Sequence, residues 1–180
     1  MIKKWELIDS KTERDYSIFK INSVQAISPR TKATGMYYTI ETKDWVNIIP
    51  VTANNEVVMI KQYRHGSKEI ALEIPGGLVD ENDPEKAALR ELLEETGYRG
   101  KTIAHLGTVN PNPAIFNNLC HTYLVEKARK VSPRNLDYDE DIEVTLIPLP
   151  KIRSLISRGK INHALVIVAF HYYFLRKGCV

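Results

Sequence analysis

Three carboxylates, Glu91, Glu94 and Glu95, fall within little more than one helical turn of each other. On a helix Glu91 lies three and four residues before Glu94 and Glu95, which brings all three toward one face. Like charges at those spacings cost an isolated helix roughly a few tenths of a kcal/mol per pair. Such a cluster is either a solvated acidic face or a cradle for a hard divalent cation, which takes oxygen ligands and shares them with phosphates and water. The apolar pattern favours the cradle, because Leu89, Leu92 and Leu93 direct one side of the segment to a core. The cluster also follows a Gly-rich loop, Pro75-Gly76-Gly77, where a ligand could approach. Arg90 either orients the acidic cluster or forms a plain i,i+4 ion pair with Glu94.

The helix that must carry these groups is well signalled. Asp83 is a good N-cap, Pro84 suits the first helical position, Glu85 favours the positive end of the helix dipole, and Gly97 is placed to stop the helix. Before it, β-like stretches are expected at Tyr16–Val24, Gly35–Ile40, Trp45–Val51 and Val57–Gln62, with Pro75-Gly76-Gly77 ending any strand at Leu72–Ile74. After it, strands are expected at Thr102–Thr108, His121–Lys127 and Ile142–Leu149, then helices near Lys151–Ser157 and from about Asn162 to Arg176. Many strands and few helices predict an α+β fold, a mixed sheet packed between helices.

Composition narrows the partners. At 180 residues the chain has room for one domain and a short extension. A net charge of +3, spread along the chain, is too weak to argue for nucleic acid or membrane. Cys120 and Cys179 offer neither metal-ligand spacing nor a disulfide framework. The N-terminal residues lack the apolar core of a signal peptide, and Ala164–Leu175 is too short to span a bilayer, so a cytoplasmic protein is expected.

The run Arg90-Glu-Leu-Leu-Glu-Glu-Thr-Gly-Tyr98, preceded by Gly76-Gly77, resembles the Nudix box, G-x5-E-x7-R-E-U-x-E-E-x-G-U. Its second half matches at every defined position. Strict spacing back from Arg90 puts the first Gly on Gly76 and the isolated Glu on Asn82; alternatively Gly77 is the box glycine and the loop Leu78–Asp83 is one residue short. Either way that Glu is missing, with Glu81 or Asp83 as substitutes. Val58–His65 and Leu72–Gly76 resemble the segment before the box in ADP-ribose and nucleoside diphosphate sugar pyrophosphatases, and Pro113, about fifteen residues after the box, marks that subgroup.

The resemblance implies an α/β/α sandwich over 44–180 and an antiparallel β extension over 1–43 that helps form a homodimer. It implies Mg²⁺-dependent (Mn²⁺ as substitute) hydrolysis of a nucleoside diphosphate sugar to a nucleoside monophosphate and a sugar phosphate. Glu91 and Glu95 would bind metal, with Glu94 and the carbonyl of Gly76 as further ligands and Arg90 as the residue orienting them. Arg64 would grip a phosphate, or else form a salt bridge. Tyr37, Tyr38 and Trp45 could stack on a base. Glu140, in the acidic segment before the Ile142 strand, is the candidate base, with Glu94 next in line. His65, His121 and His163 read as core or loop histidines. The alternatives are hydrolysis of a dinucleoside polyphosphate, or a non-catalytic nucleotide sensor on the same scaffold.

Overall fold

The computed structural model describes residues 1–80, 82–138 and 140–178. By contacts the chain forms two units, one of Met1–Lys43 with Asn110–Leu119, the other of Asp44–Val109 with the rest of the chain from Cys120.

The first unit is an antiparallel sheet of β1 (Glu6–Asp15), β2 (Lys20–Ile27) and β3 (Thr34–Glu41), in that order. Strand β1 was not foreseen. All of its side chains are exposed, so it carries no apolar alternation, and its pairing with β2 alone defines it. The expected strand Tyr16–Val24 begins later because Tyr16–Phe19 is spent on a turn, with Ser17 at φ 64°. The segment Asn110–Leu119 joins this unit through Ile40, whose N–H donates to the Ile115 carbonyl at 2.6 Å.

The second unit is built on a mixed sheet ordered β11 (Ile142–Pro148), β5 (Glu56–Arg64), β4 (Trp45–Thr52), β10 (Cys120–Lys130) and β8 (Tyr98–Arg99). Strands β4 and β10 run parallel, and β6 (Glu69–Glu73), β7 (Gly76–Leu78) and β9 (Thr102–Val109) add antiparallel pairs. One face is covered by α1 (Pro84–Thr96), where Ala87, Ala88 and Leu92 pack on Val46, Ile48, Tyr123 and Val125. The other is covered by α2 (Ile152–Ser157) and α3 (Ala164–Arg176), with Ile152, Val166 and Phe170 against Ile49, Met59 and Leu124. This is the α+β sandwich expected, with helices on both faces of a mixed sheet.

Helix α1 starts and stops where its sequence says. The Asp83 side chain accepts the Lys86 N–H at 3.2 Å, Pro84 opens the helix, and Gly97, at φ 75°, donates its N–H to Leu93. The side chain of Leu89, expected in the core, is 40% exposed; the buried stripe runs instead through Ala87, Ala88, Leu92 and Glu95. Strand β7 corrects the expectation that Pro75-Gly76-Gly77 ends strand structure. Gly76 and Gly77 pair with Asn47 and Val46, and a Cβ on Gly76 would collide with the Val46 carbonyl. Only glycine lets the two backbones approach that closely.

Candidate active site

Helix α1 and strand β7 bring two of the three box carboxylates against a glycine backbone. Glu95 lies on the buried stripe of α1 and is 2% exposed. Its Oε2 accepts the N–H of Gly76 at 3.0 Å. Glu91 sits one turn earlier, at the edge of the stripe, and a Cβ on Gly77 would collide with its carboxylate. Burial pushes the Glu95 carboxyl up to about 9, against the Gly76 hydrogen bond and with help from the charges of Glu91 and Glu140. Burial also raises Glu91, to about 6, although Arg90 opposes it.

Arg90 does both of the things its position allowed. Its Nη1 donates to Glu94 at 2.8 Å and its Nη2 to Glu91 Oε1 at 2.9 Å. Nη2 also reaches the Leu78 carbonyl at 3.3 Å and Asp80 Oδ2 at 3.4 Å, which ties the loop after β7 to the acidic face of the helix. Glu94 therefore turns toward Arg90 and is half-exposed, apart from the buried Glu95 and the half-buried Glu91.

Glu140 lies just before β11, where its N–H donates to the Asp137 carbonyl at 3.1 Å and its Oε2 accepts the Asp137 N–H at 3.1 Å. Its charge acts on Glu91, Glu95 and Arg64. Arg64 is engaged by a residue that sequence reasoning missed. Glu73, 2% exposed, accepts from Arg64 Nε at 2.9 Å and Nη2 at 2.5 Å, and this pairing holds the guanidinium above its ordinary value. A lone carboxylate among the apolar residues Leu72 and Ile74 was the available signal, since such a group needs a buried partner. Tyr38, 62% exposed on β3, and Pro113 belong to the first unit.

Of the two substitutes for the missing box carboxylate, one is accounted for. Asp83 is spent as the cap of α1, and Glu81 lies outside the described residues. Asn82 adopts φ 53°, and among the described residues of the loop Asp80 places a carboxylate against Arg90.

A NUDIX domain model matches residues 42–170. The chain belongs to the NUDIX family. Its membership bears out the expectation of a Nudix hydrolase drawn from Arg90–Tyr98. The chain is similar to the ADP-ribose pyrophosphatase of Bacillus subtilis (strain 168), with 31% identity over 135 residues covering 74% of this chain and 73% of that one. It is 30% identical over 135 residues, with the same coverage, to the methanol dehydrogenase activator of Bacillus methanolicus. The ADP-sugar pyrophosphatase of Mus musculus is 35% identical over 120 residues, 62% of this chain and 55% of that protein. The fold matches the crystal structure of an ADP compounds hydrolase at a TM-score of 0.87 and 21% identity, over 100% of this chain and 99% of the other.

Nudix hydrolases generally use a divalent metal, and the residues here fit one. A buried Glu95, raised to about 9, and a half-buried Glu91, raised to about 6, whose charge acts on it, need a positive partner to ionise together. Among the described residues no three His, Cys, Asp or Glu side chains form a closed cation cage. A pair of carboxylates with backbone and water oxygens suits an ion that keeps much of its hydration.

Proposed function

We propose that this Nudix protein hydrolyses the pyrophosphate bond of ADP-ribose or a related nucleoside diphosphate sugar with Mg²⁺, Mn²⁺ serving as substitute. The products are a nucleoside monophosphate and a sugar phosphate. The observation that carries the reading is the buried Glu95 with the half-buried Glu91 beside Gly76 and Gly77, within electrostatic reach of Glu140 and Arg64. Relatives that bear ADP-ribose and ADP-sugar pyrophosphatase names support the substrate class.

In this reading Glu91, Glu95 and the Gly76 carbonyl would hold the metal. When bound, Mg²⁺ supplies positive charge that offsets the phosphates and stabilises the departing phosphate. Arg90 fixes Glu91 by its 2.9 Å hydrogen bond and keeps Glu94 near the site as an outer carboxylate. Arg64, pre-oriented by Glu73, presents its remaining N–H donors to a substrate phosphate. Glu140 takes the proton from the attacking water, and its place in a segment before β11 lets it approach bound substrate.

The first unit would form a homodimer, because it leaves Trp5, Leu7, Met36 and Tyr38 exposed. A monomer in light scattering at micromolar concentration would overturn that part. A panel of ADP-ribose, GDP-mannose, UDP-glucose and Ap₄A tests the substrate class. Preference for a nucleoside diphosphate sugar is expected, and exclusive cleavage of Ap₄A would contradict it. Among the described residues no helix is long and apolar enough to cross a membrane.

A further inference from the structure

Four polar side chains of the second unit, none of them among the box carboxylates, form an unbroken row of hydrogen bonds. Asp44, just before β4, accepts at Oδ2 from His121 Nε2 at 3.0 Å. His121 Nδ1 lies 3.0 Å from the Thr108 hydroxyl, and that hydroxyl lies 2.9 Å from His105 Nε2. With both imidazoles neutral, the carboxylate fixes every proton: His121 donates to Asp44, Thr108 to His121, and His105 to Thr108. A polar row satisfied from end to end holds its members in one geometry.

An irregularity in the sheet makes the row possible. His121 and Tyr123 on β10 lie opposite Thr108 and His105 on β9, and the register shifts between them so that Leu106 has no opposite residue. In a regular strand residues three apart point to opposite faces; the extra residue turns His105 and Thr108 to the same one. His105 also sets its ring edge-on to Tyr123, with 5.3 Å between centroids, and Tyr123 packs among Ala87 and Ala88 of α1.

The row therefore reaches both ends of the loop that joins β7 to α1. At the Asp44 end, the same residue's backbone carbonyl accepts the Val79 N–H at 2.9 Å. The residues on either side of Val79 are loop partners of Arg90: the Leu78 carbonyl at 3.3 Å and the Asp80 carboxylate at 3.4 Å. Arg90 in turn donates to Glu91 at 2.9 Å. Apolar side chains of the same shape would fill the space of the row at little cost in stability, so what the hydrogen bonds add is placement.

We infer that His121 is a positioning residue for the carboxylate of Glu91, acting through Asp44, Val79 and Arg90. The assignment rests on the reading of Glu91 and Glu95 as the metal site, and it gives a role to a histidine that stands apart from both.

Calorimetric titration of the full chain with Mg²⁺ alone tests it, beside the Mg²⁺ dependence of turnover. His121→Ala and Asp44→Ala are each expected to raise the Mg²⁺ Kd about 3- to 10-fold, with kcat at saturating Mg²⁺ near that of wild type. Asp44→Asn keeps an oxygen that accepts from His121 and should bind Mg²⁺ as wild type does. If an alanine variant fails to fold by circular dichroism, Thr108→Val, which keeps the shape and loses the hydroxyl, decides, with a loss in the same direction expected. In an Arg90→Ala background, His121→Ala should weaken Mg²⁺ binding no further, because the route to Glu91 is already cut. An unchanged Mg²⁺ Kd in the variants, even with a lowered Tm, would make the row purely structural and overturn the inference. Additive losses in the Arg90→Ala background would overturn it as well, and so would Asp44→Asn binding as weakly as Asp44→Ala, which would trace the effect to charge alone. Failure of the metal-site reading would look different: Glu95→Gln would bind Mg²⁺ as tightly as wild type, and the inference would fall with it.

Discussion

The carboxylate of Glu95 accepts the backbone N–H of Gly76 at 3.0 Å, joining the last turn of α1 to the short strand β7. This contact puts an acid on the buried stripe of a helix, where apolar residues would otherwise sit, and the consequence is thermodynamic. Unfolding returns Glu95 from about 9 to about 4.5, so between those values the folded, metal-free chain holds a proton that the unfolded chain releases. The group's contribution to stability is therefore fully present below about 4.5 and is lost as pH rises toward about 9; Glu91 adds the same sign between about 4.5 and about 6.

Scanning calorimetry in EDTA from pH 5.5 to 8.5 checks this. Glu95→Gln removes the titration, so its Tm should rise relative to wild type as pH increases, by several degrees at pH 8.5. Added Mg²⁺ should stabilise wild type more at pH 8 than at pH 6, because the bound form needs both carboxylates ionised. Parallel pH curves for wild type and Glu95→Gln would show that Glu95 titrates normally.

Asp80 faces Arg90 where the box lacks its isolated glutamate. The pair is half-exposed, so its direct worth is small, roughly 0–1 kcal/mol. Its effect should appear in metal affinity through Arg90 and Glu91. Asp80→Asn is expected to raise the Mg²⁺ concentration for half-maximal activity roughly 2- to 10-fold with Tm nearly unchanged, and Asp80→Glu to restore it. A fall in Tm of many degrees with normal Mg²⁺ dependence would make the contact purely structural.

Glu140 is the next residue to test. As the base it acts in the transition state, so Glu140→Gln should lower kcat by about 100-fold or more while KM changes little. The acidic limb of the wild-type pH–rate profile should disappear in the variant. Retention of most of kcat would move the base elsewhere, with Glu94 as the first alternative.

Helix α1 could be read from its sequence because its signals are local: Asp83 caps, Pro84 opens and Gly97 stops. Strands β4 and β5 were legible for a similar reason, being runs of buried apolar residues between turn residues. Strand β1 was not, since its exposed residues show no alternation and only long-range pairing defines it. Strand β7 was hidden because Gly76-Gly77 reads as a turn until β4 lies beside it. Within the site, the acidic triplet was visible, but its division into a buried Glu95, a half-buried Glu91 and an outward Glu94 depends on which face α1 buries. The Arg64–Glu73 and Arg90–Asp80 pairings join residues 9 and 10 positions apart through strand and loop geometry, which spacing alone does not report.

Release of AMP and ribose 5-phosphate from ADP-ribose, followed with and without Mg²⁺ in wild type and Glu95→Gln, tests the central claim most directly. Wild-type protein should turn over only with the divalent ion, and Glu95→Gln should lose several orders of magnitude in kcat while keeping a native circular dichroism spectrum, because one metal-binding carboxylate is gone. Metal-independent turnover, or near-normal hydrolysis by Glu95→Gln at saturating Mg²⁺, would contradict the assignment of Glu91 and Glu95 as the metal site.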